Sequence, residues 1–169
     1  MASILPPAAL AEAKAYLRID GDADDELIAR LLESAATLGE AFTRRWLIVR
    51  EGSEAVAADG RWQRLTATPV RAITAVAIEG ADEPLAVSAY EIDIDAAGDG
   101  WVRVAVGAVS RVIVQFSAGM AAEWAALPDA VRQGVLRLAG YLYTDRDEAG
   151  EPPAAVAALW RPWRRMRLG

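Results

Sequence analysis

Apolar residues recur at steps of three and four positions near both ends of the chain, and this is the spacing of an amphipathic helix. The spacing predicts a first helix over about residues 7–18, which Asp20-Gly21-Asp22 then interrupts. A second helix is predicted over about 24–46 and a third over about 128–145, because each carries one continuous apolar stripe. The stripe of the second helix contains Leu27, Leu31, Ala35, Leu38 and Phe42, and Ile28 and Leu32 widen it.

Glycines and prolines add detail to the C-terminal elements. Gly134 and Gly140 each cost roughly 1 kcal/mol relative to alanine inside a helix, so we interpret them as points where another helix approaches closely. A short further helix is predicted over about 153–160, because Pro162 cannot continue it.

The middle of the chain alternates apolar and polar residues in steps of two, as half-buried strands do. Turn residues such as Asp59-Gly60 separate these runs, and the short connections favour antiparallel pairing. The predicted strands are 47–50, 61–66, 72–78, 90–95, 101–106 and 111–117. The element order predicts an α+β fold, a bundle of three main helices with one small antiparallel β-sheet inserted at about 47–117. We expect a single domain over 1–155 and a C-terminal arm over 156–169.

The chain contains no cysteine and no histidine, which narrows the chemistry that its 169 residues can support. A Ser-His-Asp or Cys-His relay is impossible, and so is a zinc site built on histidine or cysteine. No glycine-rich phosphate loop of a recognised spacing occurs either. We therefore predict no catalytic residue, no cofactor and no enzyme activity.

Two clusters of carboxylates are candidates for a metal site. Residues 20–26 begin like an EF-hand loop, but Asp25 stands where that loop needs glycine and Leu31 where it needs glutamate. Acids in the first turn of the second helix account for the same residues, because they complement the positive end of a helix. The acids within 91–95 share one face of a predicted strand, which we interpret as its solvent face. We expect no bound metal.

The net charge of −6 is unevenly distributed along the chain. Residues 156–169 contain four arginines and no acid, so the rest of the chain carries −10. An acidic body repels the phosphates of DNA, and we expect it to be a surface past which DNA slides. There is no run of about 18 apolar residues and no signal-like N-terminus, which favours a soluble protein that is not exported.

The C-terminal arm is the best candidate for binding a partner, because tryptophan and arginine dominate the energetics of protein interfaces. Three interpretations of it are open. The arm can fold back on its own acidic body, contact nucleic acid or an anionic membrane, or insert into a partner protein. We favour the partner protein, because Pro162 prevents a simple amphipathic helix. The candidate partner-binding residues are Trp160, Arg161, Trp163, Arg164, Arg165, Met166, Arg167 and Leu168.

Several stretches together resemble the head–tail connector (adaptor) proteins of long-tailed phages, prophages and gene transfer agents. The similarity lies in the order and spacing of motifs across nearly the whole chain. The motifs are LAEAKAYLRI at 10–19 with DDELI at 24–28, TPV at 68–70 with ITAV at 73–76, FSAG at 116–119 with LP at 127–128, VRQGVLRLAGYLY at 131–143, and ALWRPWRRMRL at 158–168.

The resemblance implies a helical connector-type bundle with a structural, non-enzymatic role. It implies a ring of twelve subunits between the portal and the tail of a phage or gene transfer agent particle. In such a ring the arm binds the portal protein, and another surface binds the next tail or stopper component. DNA passes through the channel without specific binding, and no membrane is involved. The particle is expected to assemble in the bacterial cytoplasm.

Two other functions stay open at the level of sequence. One is a different ring protein of virion assembly, such as a head-completion or tail-end protein, or a free-standing interaction module. The other is a small metal-dependent enzyme that relies on carboxylates, because these are the main chemical groups left without histidine and cysteine.

Overall fold

A computed structural model describes residues 5–81, 83–104, 110–144 and 153–165. The contacts within the chain divide it into two units. Residues 1–48 and 121–169 form the helical unit, and residues 49–120 form the sheet unit. The sheet unit is therefore an insertion in the sequence of the helical unit.

Four α-helices lie in the described part of the helical unit. They are α1 (Pro7–Leu17), α2 (Asp25–Thr43), α3 (Asp129–Thr144) and α4 (Ala154–Trp160). The first three match the long helices that the sequence predicts, and α4 matches the predicted short helix. A bundle of only three main helices is not confirmed, because α4 packs against α2 and α3 as a fourth member.

The buried face of α2 matches the predicted apolar stripe only in part, at Ile28, Leu32 and Ala35. Its buried residues are Ile28, Leu32, Ala35, Ala36, Gly39 and Thr43. Leu38, which the stripe included, is 39% exposed instead. The spacing of apolar residues alone predicts this stripe. In the fold, α3 and α4 both pack on α2, and small residues let two helices approach it closely.

Helix α1 packs against α3 at Gly140. A Cβ at this position would lie 3.1 Å from the ring of Tyr16 and 3.3 Å from the side chain of Leu17. The interpretation of Gly140 as a point of close helix approach is therefore confirmed. A polar contact adds to this packing, since Nε1 of Trp124 donates a 2.6 Å hydrogen bond to the carboxylate of Glu12 on α1.

The described part of the sheet unit contains two antiparallel three-stranded sheets, whereas the sequence predicts one small sheet. In chain order the strands are β1 (Arg50–Ala57), β2 (Trp62–Arg64), β3 (Val70–Ile78), β4 (Tyr90–Ile94), β5 (Gly100–Val104) and β6 (Arg111–Ala118). One sheet has the order β1-β6-β3 and the other β2-β5-β4. The buried core residues of the two central strands are Val102, Val104, Val112, Val114 and Phe116. Alternation along each strand predicts its buried face, but long-range pairing decides which sheet the strand joins.

The first strand is misplaced by the sequence pattern. The prediction of a strand over 47–50 is wrong, because β1 begins at Arg50 and pairs with β6 up to Ala57. Leu47 and Ile48 are buried within the helical unit. Residues 50–57 contain only one β-branched residue, Val56, so local propensity does not mark them as a strand. Pairing with the strongly alternating β6 stabilises them there.

Candidate docking surface at the end of helix α2

The indole of Trp160 anchors α4 and is fully buried inside the helical unit. Its Nε1 donates a 3.2 Å hydrogen bond to the carbonyl oxygen of Val131 on α3. Its ring centroid lies 5.8 Å from that of Phe42 on α2, in a tilted arrangement that suits two aromatic rings. Trp160 therefore ties α4 to both α2 and α3.

Two glycines make room for this indole. A Cβ at Gly134 would overlap Nε1 of Trp160, and a Cβ at Gly39 would lie 3.1 Å from the edge of the same ring. The interpretation of Gly134 as a point of close helix approach is confirmed. Its partner is a tryptophan that lies 26 positions further along the chain, and no local pattern connects the two residues.

We expect Gly134→Ala to lower the free energy of unfolding of the helical unit by about 1–3 kcal/mol, because the overpacking outweighs the roughly 1 kcal/mol that alanine gains in a helix. Gly39→Ala is the matched control, since its contact with the indole is tight rather than overlapping. Urea unfolding followed by circular dichroism measures both variants. A larger loss in Gly39→Ala than in Gly134→Ala would contradict the assigned packing.

The position of Trp160 differs from its predicted role as a contact residue for a partner. The side chain is 0% exposed, so a partner cannot reach it while α4 stays packed. Val156, one helical turn earlier, is also buried. The described part of the arm is thus folded back on the helical unit through apolar packing, although the sequence favours insertion into a partner.

The other predicted contact residues follow α4. The first of them lie in a 3-10 turn over Arg161–Trp163. The exposed residues among them are Arg161 and Arg164. The half-buried ones are Trp163 and Arg165. Met166, Arg167 and Leu168 lie outside the described residues.

The segment after α4 meets the C-terminal end of α2. The backbone N–H of Arg165 donates a 3.0 Å hydrogen bond to the carbonyl oxygen of Thr43, the last residue of α2. The guanidinium of Arg164 lies over the ring of Phe42, 5.6 Å from its centroid. These contacts bring the segment beside Arg44 and Arg45, which follow Thr43. We define the basic patch as Arg44, Arg45, Arg161, Arg164 and Arg165.

Arg44 and Arg45 are absent from the site residues that the sequence predicts. The second helix was expected to continue to residue 46, which would have placed both arginines on its surface as ordinary helical residues. Helix α2 ends at Thr43 instead, and Arg44 takes a left-handed conformation with φ 56°. A signal was present, because Arg44-Arg45-Trp46 mirrors the composition of Trp163-Arg164-Arg165. Only the tertiary structure brings the two arginine pairs together.

The acids of the α1–α2 loop have partners within the helical unit. Asp25 pairs with Lys14 of α1 at 2.5 Å. Asp24 accepts a 2.9 Å hydrogen bond from the hydroxyl of Tyr143 on α3. These two carboxylates therefore connect α2 to the neighbouring helices, which is a structural use of residues that were candidates for calcium binding.

Two of the acids within 91–95 also have structural partners. Glu91 forms an ion pair with Arg103 on β5 at 2.5 Å, and that guanidinium lies 5.2 Å from the ring centroid of Trp62 on β2. Asp95 ends the hairpin by accepting hydrogen bonds from the backbone N–H groups of Ala97 and Asp99. Glu91 thus belongs to a cross-strand ladder and Asp95 to a turn, and the third acid, Asp93, is exposed.

Within the described ranges, no group of three or more acidic, histidine or cysteine side chains is placed to hold a metal ion. In the same ranges, no helix has both the length and the apolar character that crossing a bilayer requires.

The sequence profile described as "Phage gp6-like head-tail connector protein" matches residues 7–81. This stretch includes α1, α2 and the first strands of the sheet unit. A comparison with curated proteins finds no match.

Solved structures are similar to almost the whole chain. A chain in "Neck of empty GTA particle computed with C6 symmetry" has 27% identity and a TM-score of 0.80, covering 99% of this chain and 94% of that one. A chain in "Virion of native gene transfer agent (GTA) particle" has 32% identity and a TM-score of 0.73, covering 97% and 93%. A chain in "Neck of native GTA particle computed with C12 symmetry" has 30% identity and a TM-score of 0.73, covering 99% and 94%.

Proposed function

The chain belongs to the phage gp6-like head–tail connector family, and we propose from this premise that it forms a ring below the portal of a tailed phage or gene transfer agent particle. The observation that carries the proposal is the likeness to neck and virion chains, which extends over at least 97% of this chain. The role in this proposal is structural, and it requires no catalytic residue and no cofactor.

The proposed ring has twelve copies of the chain. Support comes from the similar chains, since their neck structures were computed with C6 and C12 symmetry. A closed ring is built from heterologous contacts, in which one surface of a subunit binds a different surface of the next. The proposed location is the neck of the particle, which is assembled in the bacterial cytoplasm.

We propose that the C-terminal segment joins this ring to the portal protein. The exposed Arg161 and Arg164 support this role, and so does their position beside Arg44 and Arg45. Trp160 contributes by holding the segment in place rather than by contacting the portal. Residues 166–168 extend the same proposed contact in sequence, with one further arginine and two apolar side chains.

The remaining surface is proposed to line the DNA channel and to bind the next tail or stopper component. Residues outside 156–169 carry a net charge of −10. Such a surface repels the phosphate backbone, so DNA can pass the subunit without being held. Tail or stopper binding needs no membrane contact, and none is proposed.

The proposed function is tested by deleting the gene in a strain that produces the particles. We expect DNA-filled heads without tails, because the ring that joins the two parts is missing. Expression of the intact chain from a plasmid should restore tailed particles, and particle reconstruction should locate the chain between the portal and the tail. Normal tails without the chain would reject the connector role. Density found only at the tail tip, or only at head vertices without a tail, would assign the chain to another ring.

A further inference from the structure

Five arginines outside the basic patch form ion pairs with carboxylates in the described part of the chain. Examples are Arg64 with Asp99 at 3.6 Å and Arg132 with Asp129 at 2.9 Å. In the basic patch, Arg44, Arg45 and Arg161 have no acidic partner among the described residues. These three arginines therefore concentrate positive charge that no described carboxylate neutralises, on a chain that is acidic as a whole.

Arg45 adds a second and independent observation. Its Nε is buried yet has no hydrogen-bond acceptor in the described structure. Buried donors are nearly always paired, and an unpaired one at a charged group is especially unfavourable. A carboxylate bound at the exposed part of this half-buried side chain would neutralise the guanidinium.

The patch also contains apolar surface. Arg164 lies against Phe42, and Trp163 is half-buried in the turn that follows α4. Protein interfaces combine arginine with aromatic side chains in this way, whereas contacts to the backbone of duplex DNA consist of cations on phosphates.

We propose that the basic patch binds an acidic segment of a partner protein, with Arg44 and Arg45 as contact residues alongside Arg161 and Arg164. This inference rests on the proposed connector role in one respect: that role places the partner in the neck of the particle. It extends the docking site from the C-terminal segment to the end of α2, and it specifies carboxylates together with apolar side chains on the partner.

The probe for this proposal is a short labelled peptide that is rich in glutamate and contains leucines. The comparison probes are the same peptide with glutamine in place of glutamate and a short DNA duplex. We expect the full chain to bind the glutamate peptide at least about tenfold more tightly than either comparison probe, with an affinity that falls as salt rises. Tighter binding of the duplex would overturn the proposal in favour of nucleic acid.

Arg44→Glu/Arg45→Glu is the test variant, and we expect it to lower the affinity for the glutamate peptide at least about tenfold. Arg18→Glu/Arg137→Glu is the matched control, because it changes the charge equally and Arg18 ends α1 with φ 57°, as Arg44 ends α2 with φ 56°. Equal losses in both variants would reduce the effect to net charge and overturn the proposal.

Sedimentation velocity separates a second copy of the chain from a different partner. We expect Arg44→Glu/Arg45→Glu to leave the self-association of the chain unchanged. Selective loss of self-association would identify a neighbouring copy as the occupant and overturn the proposal. A chain that binds the glutamate peptide as expected but does not restore tailed particles would reject the connector role instead, so the two failures are distinguishable.

Discussion

Replacing Trp160 by alanine is expected to lower the free energy of unfolding of the helical unit by about 3–5 kcal/mol, the range for removing a buried aromatic side chain. Three losses contribute to this effect. The indole leaves a cavity beside Gly39 and Gly134, the Val131 carbonyl loses its donor, and the contact with Phe42 disappears. Urea unfolding followed by circular dichroism gives the magnitude.

The control for this variant is Trp62→Ala on β2. Trp62 is 41% exposed, so its loss is expected to cost about 1 kcal/mol or less, mainly from the contact with Arg103. Similar small losses in Trp62→Ala and Trp160→Ala would mean that Trp160 is not part of the core. In that case the original interpretation of Trp160 as a contact residue for a partner would be restored.

The charge reversal Arg161→Glu/Arg164→Glu is expected to reduce the joining of heads to tails by roughly a hundredfold without unfolding the chain. Both side chains are exposed, so their replacement removes little core packing. At the interface, each reversal replaces an attraction with a repulsion, and close interfacial charge pairs contribute about 1.5–7 kcal/mol. The fraction of tailed particles in a complemented deletion strain is the measurement.

Arg18→Glu/Arg137→Glu is again the matched control, because both arginines are exposed on the helical unit away from the basic patch as defined. We expect it to restore tailed particles to the wild-type fraction. Urea unfolding of both double variants checks that the helical unit is intact. Normal tailing by Arg161→Glu/Arg164→Glu would contradict the docking role of the C-terminal segment, even if the chain were still found in the neck.

These predictions also restrict how the C-terminal segment can be shortened. Removing the whole arm from residue 156 deletes Val156 and Trp160, and therefore removes part of the core as well as the docking residues. A truncation after Arg165 keeps α4 and its contacts. Only this shorter truncation separates loss of docking from loss of folding.

The family and the main elements could be predicted from the sequence. Confirmation of the connector family came from the gp6-like sequence profile and from the similarity to gene transfer agent particles. The order of motifs along the chain was sufficient, because homologous chains keep their elements in the same order even when each motif is weak. The helices were predictable for a physical reason. A long stretch in which apolar residues recur every 3.6 positions fits an amphipathic helix and few other structures.

The site was predictable only in part. Composition alone marks Arg161 and Arg164 as part of a basic segment, and both are exposed; their role in binding a partner stays a prediction. The role of Trp160 could not be read from composition, since a tryptophan is equally suited to a core and to an interface. Its burial depends on Gly39 and Gly134, which lie on two other helices.

Local sequence by itself therefore determined the helices α1, α2, α3 and α4, the alternating strands of the insertion and the charge contrast between the arm and the rest of the chain. Periodicity and charge are properties of neighbouring residues, so they can be determined without knowledge of the fold. The tertiary structure alone decided that the insertion forms two sheets, that Trp160 is buried, and that Arg44-Arg45 meets Arg164-Arg165. These features depend on contacts between residues far apart in the chain, where packing and pairing rather than local propensity select the outcome.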